Sequence, residues 1–419
     1  MAVNITTLDN GLRIASDSME GLETTSVGVW VNAGARYESP EANGISHMLE
    51  HMAFKGTHRR TAKGIAEEIE AVGGHLNAYT SREQTAYFAR VLADDLPLAV
   101  DLLGDILLNS TFDEEELARE RAVVLQEIGQ AVDTPDDQIF DFLQQVAFPK
   151  QAMGRTVLGS PERVAGFGRD DLIGYMGHHY RLPRMVVSAA GNVDHDAFVQ
   201  MAGEAFGGLG SVDESDHDPA RYGGGEFREK RDLEQVHLTM AFPSVAFDHP
   251  DFYAVQVLST VLGGGMSSRL FQEVREKRGL AYSVFSFAQS YLDTGIFGIY
   301  AGTGETQVAE LAQVVADQVR QVAQDITDEE TARARAQHKA GVLMGLESSA
   351  ARCEQMARQL LVFGRSIPPA ELIAKVDAVD APTLRRIAAE TVAAGPMSLA
   401  ALGPLGGLES YDLLAARFD

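Results

Sequence analysis

The stretch Met185 to Gly191, MVVSAAG, recurs 212 residues later as Met397 to Gly403, MSLAALG. Two further pairs of stretches match in the same order and at nearly the same offset: VGVWVNA at 27–33 with VHLTMAF at 236–242, and EEELARERA at 114–122 with DEETARARA at 328–336. A single match of this length has little weight. Three matches in one order and at a nearly constant spacing predict a duplicated domain.

Within the first half, helical and strand-like patterns follow one another. Apolar residues at 62, 65, 66, 69 and 72 have helical spacing, which ends at Gly73-Gly74. Residues 76–80 and 85–91 alternate as two strands, and 96–108 is typical of a helix. These patterns predict an α+β fold of two homologous domains, each a mainly antiparallel sheet with helices packed on one face.

The boundary between the halves lies in a stretch rich in glycine and acidic residues. Residues 207–210 and 223–225 are rich in glycine, and the stretch between them has no apolar periodicity. We therefore predict an N-terminal domain at 1–210, a linker at 211–230 and a homologous C-terminal domain at 231–419.

The composition narrows the classes of partner. With 35 basic and 60 acidic residues the formal net charge is −25, so we expect no nucleic-acid partner, because no cationic surface is available to displace counterions. No apolar run approaches the roughly 20 residues of a membrane span, so we expect no membrane partner. Residues 1–19 lack the pattern of a targeting segment, and Cys353 is the single cysteine. Both features predict a cytoplasmic protein.

The segment GISHMLEHMAF at 44–54 is the most informative in the chain. On a helix, His47 and His51 lie four residues apart and project from one face, so both imidazoles can bind one ion. Glu50 lies on the adjoining face and can hold a water without binding the ion itself. A Lewis acid beside a carboxylate base is what zinc-dependent hydrolysis requires. The alternative is two histidines on a polar helix face.

A catalytic zinc needs a third protein ligand. The predicted helix 114–130 carries Glu120 and Glu127 seven residues apart, nearly in line, beside the apolar stripe Leu117, Val124 and Ile128. One carboxylate can bind the metal while the other orients a histidine. The alternative is that both are ordinary solvent-facing acids, which are common in so acidic a chain.

The duplication favours a shared role for these five polar residues. At an offset of 214, the second half has apolar residues or glycine in their places: Val261, Gly264, Gly265, Ala334 and Gly341. The second half therefore repeats the fold pattern of the first half but has none of these five polar residues. We therefore expect the metal site in the first domain only.

HMLEH followed by AFKGT, with the two downstream glutamates, resembles the pitrilysin family of metallopeptidases, whose inverzincin signature is His-x-x-Glu-His. Within this family the likeness is to the processing peptidases, and it extends from about residue 3 to past 400. The resemblance implies one Zn²⁺ per chain, held by His47, His51 and Glu127. It also implies Glu50 as the general base and Glu120 as a carboxylate that supports catalysis by orienting a histidine.

The resemblance implies substrate-binding residues as well. Asn77 and Ala78 match an edge strand to which the peptide adds as a further strand, and Phe54 matches an aromatic wall beside the cleaved bond. Arg275 and Tyr282 match a pair that grips the substrate backbone. Without the family, Tyr282 would be interpreted as a strand core residue and Arg275 as a surface charge.

Asp137 and Asp141 match an acidic pair that receives an arginine near the cleavage point. Two carboxylates one helical turn apart form a suitable fork for a guanidinium group. The alternative is acidic surface.

We therefore expect a zinc-dependent endopeptidase, processing-peptidase-like, that hydrolyses extended or unfolded peptides with a basic residue near the cleavage point. The resemblance implies a dimer, because relatives enclose the site between four such domains. We expect a homodimer, with a heterodimer as the alternative. Arg275 and Tyr282 would then approach the zinc from the partner chain. The first alternative function is a non-catalytic scaffold or partner subunit of a heterodimeric peptidase, and the second is a zinc hydrolase of non-peptide amides. The ligand types also leave manganese or cobalt open.

Overall fold

The structure is a computed structural model that describes residues 3–211 and 218–418. The strands are β1 Asn4–Thr7, β2 Arg13–Ser18, β3 Thr24–Val31, β4 His75–Thr80, β5 Thr85–Leu92, β6 Met185–Gly191, β7 Gly225–Lys230, β8 Val236–Ser244, β9 Ala281–Ser290, β10 Gly295–Thr303 and β11 Ser398–Gly403.

The helices alternate with these strands along both halves. They are α1 Ile45–Ala53, α2 Ala62–Ala71, α3 Leu96–Leu108, α4 Glu114–Val132, α5 Pro135–Ala147, α6 Pro161–Gly166, α7 Arg169–His179, α8 His195–Phe206, α9 Phe252–Gly263, α10 Val308–Asp325, α11 Asp328–Gly345, α12 Ser349–Phe363, α13 Pro369–Asp377, α14 Ala381–Ala393 and α15 Tyr411–Ala415. Over the described ranges, none of the helices combines the length and apolar character that a membrane crossing requires.

The strands form two sheets of related topology. The first has the order β1-β2-β6-β3-β5-β4, and the second has the order β7-β11-β8-β10-β9. Each sheet is antiparallel except for one parallel pair, β2 with β6 and β7 with β11. The predicted α+β class with two homologous halves is confirmed.

Each sheet is covered on both faces, which differs from the helices on one face that the sequence predicted. In β3, Val27, Val29 and Val31 face the core formed with α1, α3 and α8, whereas Trp30 on the opposite face packs near Met356 of α12. In the second sheet, α5 packs in the same way against β8 and β11. Strands covered on both faces are apolar throughout, so the pattern of β3 does not reveal this second helix.

The two compact units are therefore not continuous in sequence. Residues 1–129, 155–218 and 344–367 form the first unit, and residues 130–154, 219–343 and 368–419 form the second. The predicted boundaries 1–210 and 231–419 do not include this exchange of α5 and α12. Residues 212–217 of the predicted linker lie outside the described residues. Its last part, Gly225–Lys230, forms strand β7 because it pairs with β11.

Candidate active site

The start of helix α1 is held by a buried carboxylate. Glu38 Oε2 accepts a hydrogen bond from the Gly44 backbone N–H at 2.8 Å, and Oε1 accepts from the Ser46 N–H at 2.9 Å. Gly44 has a φ of +98°, and a Cβ there would lie 2.8 Å from the Leu158 carbonyl oxygen. Burial raises the pKa of Glu38, which these hydrogen bonds oppose. The carboxylate satisfies free N–H groups at the helix start and fixes where α1 begins.

The two histidines of α1 lie together on its polar side. Met48, Leu49 and Met52 are fully buried in the core, so the helix can rotate only little about its axis. The rings of His47 and His51 are 4.7 Å apart between centroids, at an interplanar angle of 72°. Burial lowers the pKa of His47 to about 4, so the imidazole is neutral at pH 7 and able to bind a metal.

Helix α4 brings a carboxylate to these rings. Leu117 and Val124 anchor the helix in the core, and Glu127 Oε2 lies 3.5 Å from Nε2 of His47 and 3.5 Å from Nε2 of His51. The three ligand atoms are all within 4.8 Å of one another. The structure therefore brings together the three predicted metal ligands. The structure also shows which of the two glutamates of α4 faces both Nε2 atoms: it is Glu127. The sequence alone did not distinguish Glu127 from Glu120 in this respect.

Glu120 lies deeper and contacts one histidine from behind. Its side chain is 8% exposed, and its Oε2 lies 3.0 Å from His51 Nδ1. With the proton on Nδ1, as this contact favours, His51 Nε2 is free to bind a metal beside Glu127. Two imidazole nitrogens and one carboxylate oxygen are the donor set of a catalytic zinc site with an open position. The residues present therefore fit zinc.

Glu50 lies beside this group without belonging to it. Its Oε2 atom is buried and has no hydrogen-bond partner within 3–211 and 218–418. Burial raises the pKa of Glu50; Thr80 and His51 oppose that rise, and the nearby Glu127 carboxylate adds to it. A carboxyl whose pKa is raised above its ordinary value is suited to take up and release a proton.

The predicted peptide-binding strand β4 is one of the two edge strands of the first sheet, as the described residues form it. The Ser81 N–H donates to the Gln84 carbonyl at the β4–β5 turn, and antiparallel alternation from this pair directs the Ala78 N–H outward. The Asn77 side-chain oxygen accepts that N–H at 2.8 Å. Phe54 follows α1, half-buried, with its ring 6.4 Å from that of Tyr87.

The remaining predicted site residues lie in the second unit. The Arg275 guanidinium carbon is 4.3 Å from the ring centre of Tyr282, which is 75% exposed, and 4.8 Å from that of Phe271. Arg275 also donates to the Tyr282 carbonyl at 3.1 Å. It lies in the π-helical turn Phe271–Glu276, a feature often found at functional sites.

The acidic pair lies in α5 of the same unit, with Asp137 in the first turn and Asp141 at the middle of the helix. Asp137 is exposed, whereas Asp141 is half-buried. The carboxylates of Asp136 and Asp137, added to burial, raise the pKa of Tyr300 to about 12. Asp137 and its neighbour Asp136 therefore lie close to an aromatic residue of the second sheet.

Sequence reasoning missed two residues near the candidate ligands: Glu38, which accepts hydrogen bonds at the start of α1, and Lys55, which pairs with Glu120. Lys55 follows His51 by four residues, and this spacing could have placed it on the face of the two histidines. Glu38 lies six residues before Gly44 in an irregular segment, where spacing carries no such signal.

Comparison with known proteins agrees with this geometry. Residues 13–161 match the family described as Insulinase (Peptidase family M16), and residues 166–338 match the family described as Peptidase M16 inactive domain. The beta subunit of the mouse mitochondrial-processing peptidase is 40% identical, over 99% of this chain and 87% of that protein. An uncharacterized zinc protease of Rickettsia bellii is also 40% identical, over 88% of this chain and 90% of that protein.

A solved structure has the same fold. A chain of complex III2 from Candida albicans, solved with Inz-5 bound, aligns with a TM-score of 0.89 over 100% of both chains, at 22% identity. The chain belongs to the M16 family of peptidases, and the predicted resemblance to the pitrilysin-type metallopeptidases is confirmed.

Proposed function

We propose that this protein is a zinc-dependent endopeptidase that hydrolyses extended peptides in the manner of a processing peptidase. The observation that carries the proposal is the meeting of His47, His51 and Glu127 beside the free carboxyl oxygen of Glu50. Both 40% identical relatives described above carry names of peptidases, which supports the same reaction class.

The mechanism follows from the roles of these side chains. His47, His51 and Glu127 would hold the zinc, which when bound supplies a Lewis acid that polarises a carbonyl and acidifies water. Glu50 Oε2 takes the proton of the attacking water and then delivers it to the leaving amine nitrogen. The outward backbone groups of β4 pair with the peptide and hold it extended.

The test combines metal content with turnover. Purified protein should contain about one zinc per chain, and a chelator should abolish cleavage of an unfolded, arginine-containing peptide. Glu50→Gln should keep the zinc and reduce turnover about 10²- to 10⁴-fold, while the exposed Glu70→Gln on α2 should leave both unchanged. A protein that binds zinc but cleaves small amides and not peptides would favour the alternative hydrolase.

A non-catalytic partner subunit is the second candidate. The match of 166–338 to an inactive domain and the name "subunit beta" of the mouse relative favour a protein that works with a second chain. Activity that appears only with a second subunit, and that persists when the Glu50→Gln chain replaces the wild-type chain, would support this candidate.

Dimerisation and specificity extend the proposal. If Arg275 acts across a homodimer, mixed dimers of Glu50→Gln and Arg275→Ala chains should regain activity that each variant lacks alone.

If Asp137 and Asp141 receive a basic side chain, replacing the substrate arginine by norleucine should raise KM. Cytoplasmic localisation stays a prediction that cell fractionation tests.

A further inference from the structure

Lys55 makes a close ion pair with the carboxylate behind the metal site. Its Nζ lies 2.6 Å from Glu120 Oε1, while the other oxygen of Glu120 lies 3.0 Å from His51 Nδ1. The three side chains therefore form a chain of contacts from Lys55 through Glu120 to His51, and His51 in turn lies 3.5 Å from Glu127. Each carboxylate oxygen of Glu120 has its own cationic or N–H partner.

The loop after α1 holds Lys55 in this position. Gly56 has a φ of +119°, a conformation that strains any residue with a side chain. Its carbonyl accepts the Thr111 N–H at 3.1 Å, and the Thr57 hydroxyl donates to Asp105 at 2.7 Å. The chain therefore turns sharply and is held directly after Lys55, which leaves the lysine only its own rotamers to vary.

Because Glu120 is buried, its ion pair with Lys55 helps to fix the orientation of its carboxylate. The carboxylate is 8% exposed and shares the region with Glu127, whereas Lys55 is 29% exposed and reaches in from the solvent side. When a buried carboxylate loses one of its two partners, the contacts that stabilise its rotamer are weakened, and other rotamers become accessible. The contact with His51 depends on that rotamer, and so does the orientation of the ring.

We propose that Lys55 is a positioning residue for the metal: through Glu120 it holds His51 in the orientation that binds zinc. This inference rests on the proposed zinc site, but not on peptide cleavage. Partners one contact removed from a metal ligand typically contribute about 10- to 100-fold to metal affinity. Glu120 is such a partner of His51, and Lys55 lies one contact further away through its ion pair with Glu120. We therefore expect Lys55 to contribute at the lower end of that range, about 10-fold.

The experiment measures zinc affinity of the whole chain by competition with a chromophoric chelator. Lys55→Met should bind zinc about 10-fold more weakly, and Lys55→Arg, which keeps the charge, should restore most of the affinity. Lys63→Met is the matched control, because Lys63 pairs with Glu67 on the surface at 83% and 64% exposure. Thermal unfolding of the metal-free variants separates a loss of affinity from a loss of fold.

A double-mutant cycle makes the test specific to the route through Glu120. In a Glu120→Gln background, Lys55→Met should produce little further loss of zinc affinity, since the contact it acts through is already changed. Equal losses in both backgrounds, or a Lys55→Met variant with wild-type zinc affinity, would overturn the inference. Wild-type protein that binds no zinc would instead overturn the proposed function.

Discussion

Arg36 and Glu83 form a buried ion pair with 2.6 Å between Arg36 Nη1 and Glu83 Oε1, and their side chains are 1% and 9% exposed. The pair joins the segment before α1 to the β4–β5 turn. The Arg36 N–H also donates to the Arg82 carbonyl at 2.8 Å. This contact connects the turn after the edge strand β4 to the segment that leads into α1.

Removal of one partner of this pair should destabilise the fold strongly. Glu83→Ala leaves the Arg36 guanidinium buried without that carboxylate, and we expect a loss of about 3 kcal/mol in the free energy of unfolding, measured in urea. Glu67→Ala breaks the exposed pair with Lys63 and should cost at most about 0.5 kcal/mol. Equal losses in the two variants would contradict the role of the buried pair.

Glu127 should dominate the metal affinity contributed by α4. Glu127→Gln removes an anionic oxygen that faces both histidines, so zinc binding should weaken by at least about 100-fold, more than for the supporting residues. The chelator competition described for Lys55 measures this loss. Glu114→Gln, an exposed change on the same helix, is the control. Similar affinities for both variants would show that Glu127 is not a ligand.

The metal-free protein should lose stability as the pH falls from about 6.5 to about 4. The pKa of His47 is about 4 in the fold and about 6.5 when unfolded, so in this window the unfolded chain binds the proton and the folded one does not. The loss is roughly 3 kcal/mol at most, at 1.36 kcal/mol per pKa unit.

The opposite shift of Glu50 makes a variant comparison necessary. Its raised pKa gives stability that is lost as the pH rises above its ordinary value. Urea unfolding of wild type and His47→Gln across this window isolates the histidine, because Glu50 is present in both. If the free energy of unfolding had the same pH dependence in the two proteins, the interpretation of His47 as buried and neutral would be wrong.

Ala78→Pro should impair peptide binding more than folding. Proline removes the outward N–H, which bonds to Asn77 and not to β5, so the ladder between β4 and β5 keeps its hydrogen bonds. We expect KM for an extended peptide to rise several-fold, by the loss of one backbone hydrogen bond worth about 1 kcal/mol. Zinc affinity should stay the same. An unchanged KM would mean that the peptide does not add to this edge.

Much of the metal site was accessible from the sequence because its parts are local. The positions of His47, Glu50 and His51 on one helix follow from the helical repeat, and so does the alignment of Glu120 with Glu127. The choice between these two glutamates as ligand did not follow, since both flank the same apolar stripe. It depends on how α4 lies against α1, and the family resemblance supplied that choice before the structure did.

By itself, the sequence determined the duplication, the α+β class and the loss of metal-site residues from the second half. These features follow from the apolar periodicity of helices and strands and from the matched positions of the two halves. Tertiary structure alone decided that α5 and α12 exchange between the units, that Lys55 reaches Glu120 and that Arg36 meets Glu83. Such contacts join residues far apart in the chain, or set the rotamer of a single side chain, so they depend on which surfaces pack together, and no local repeat in the sequence encodes that.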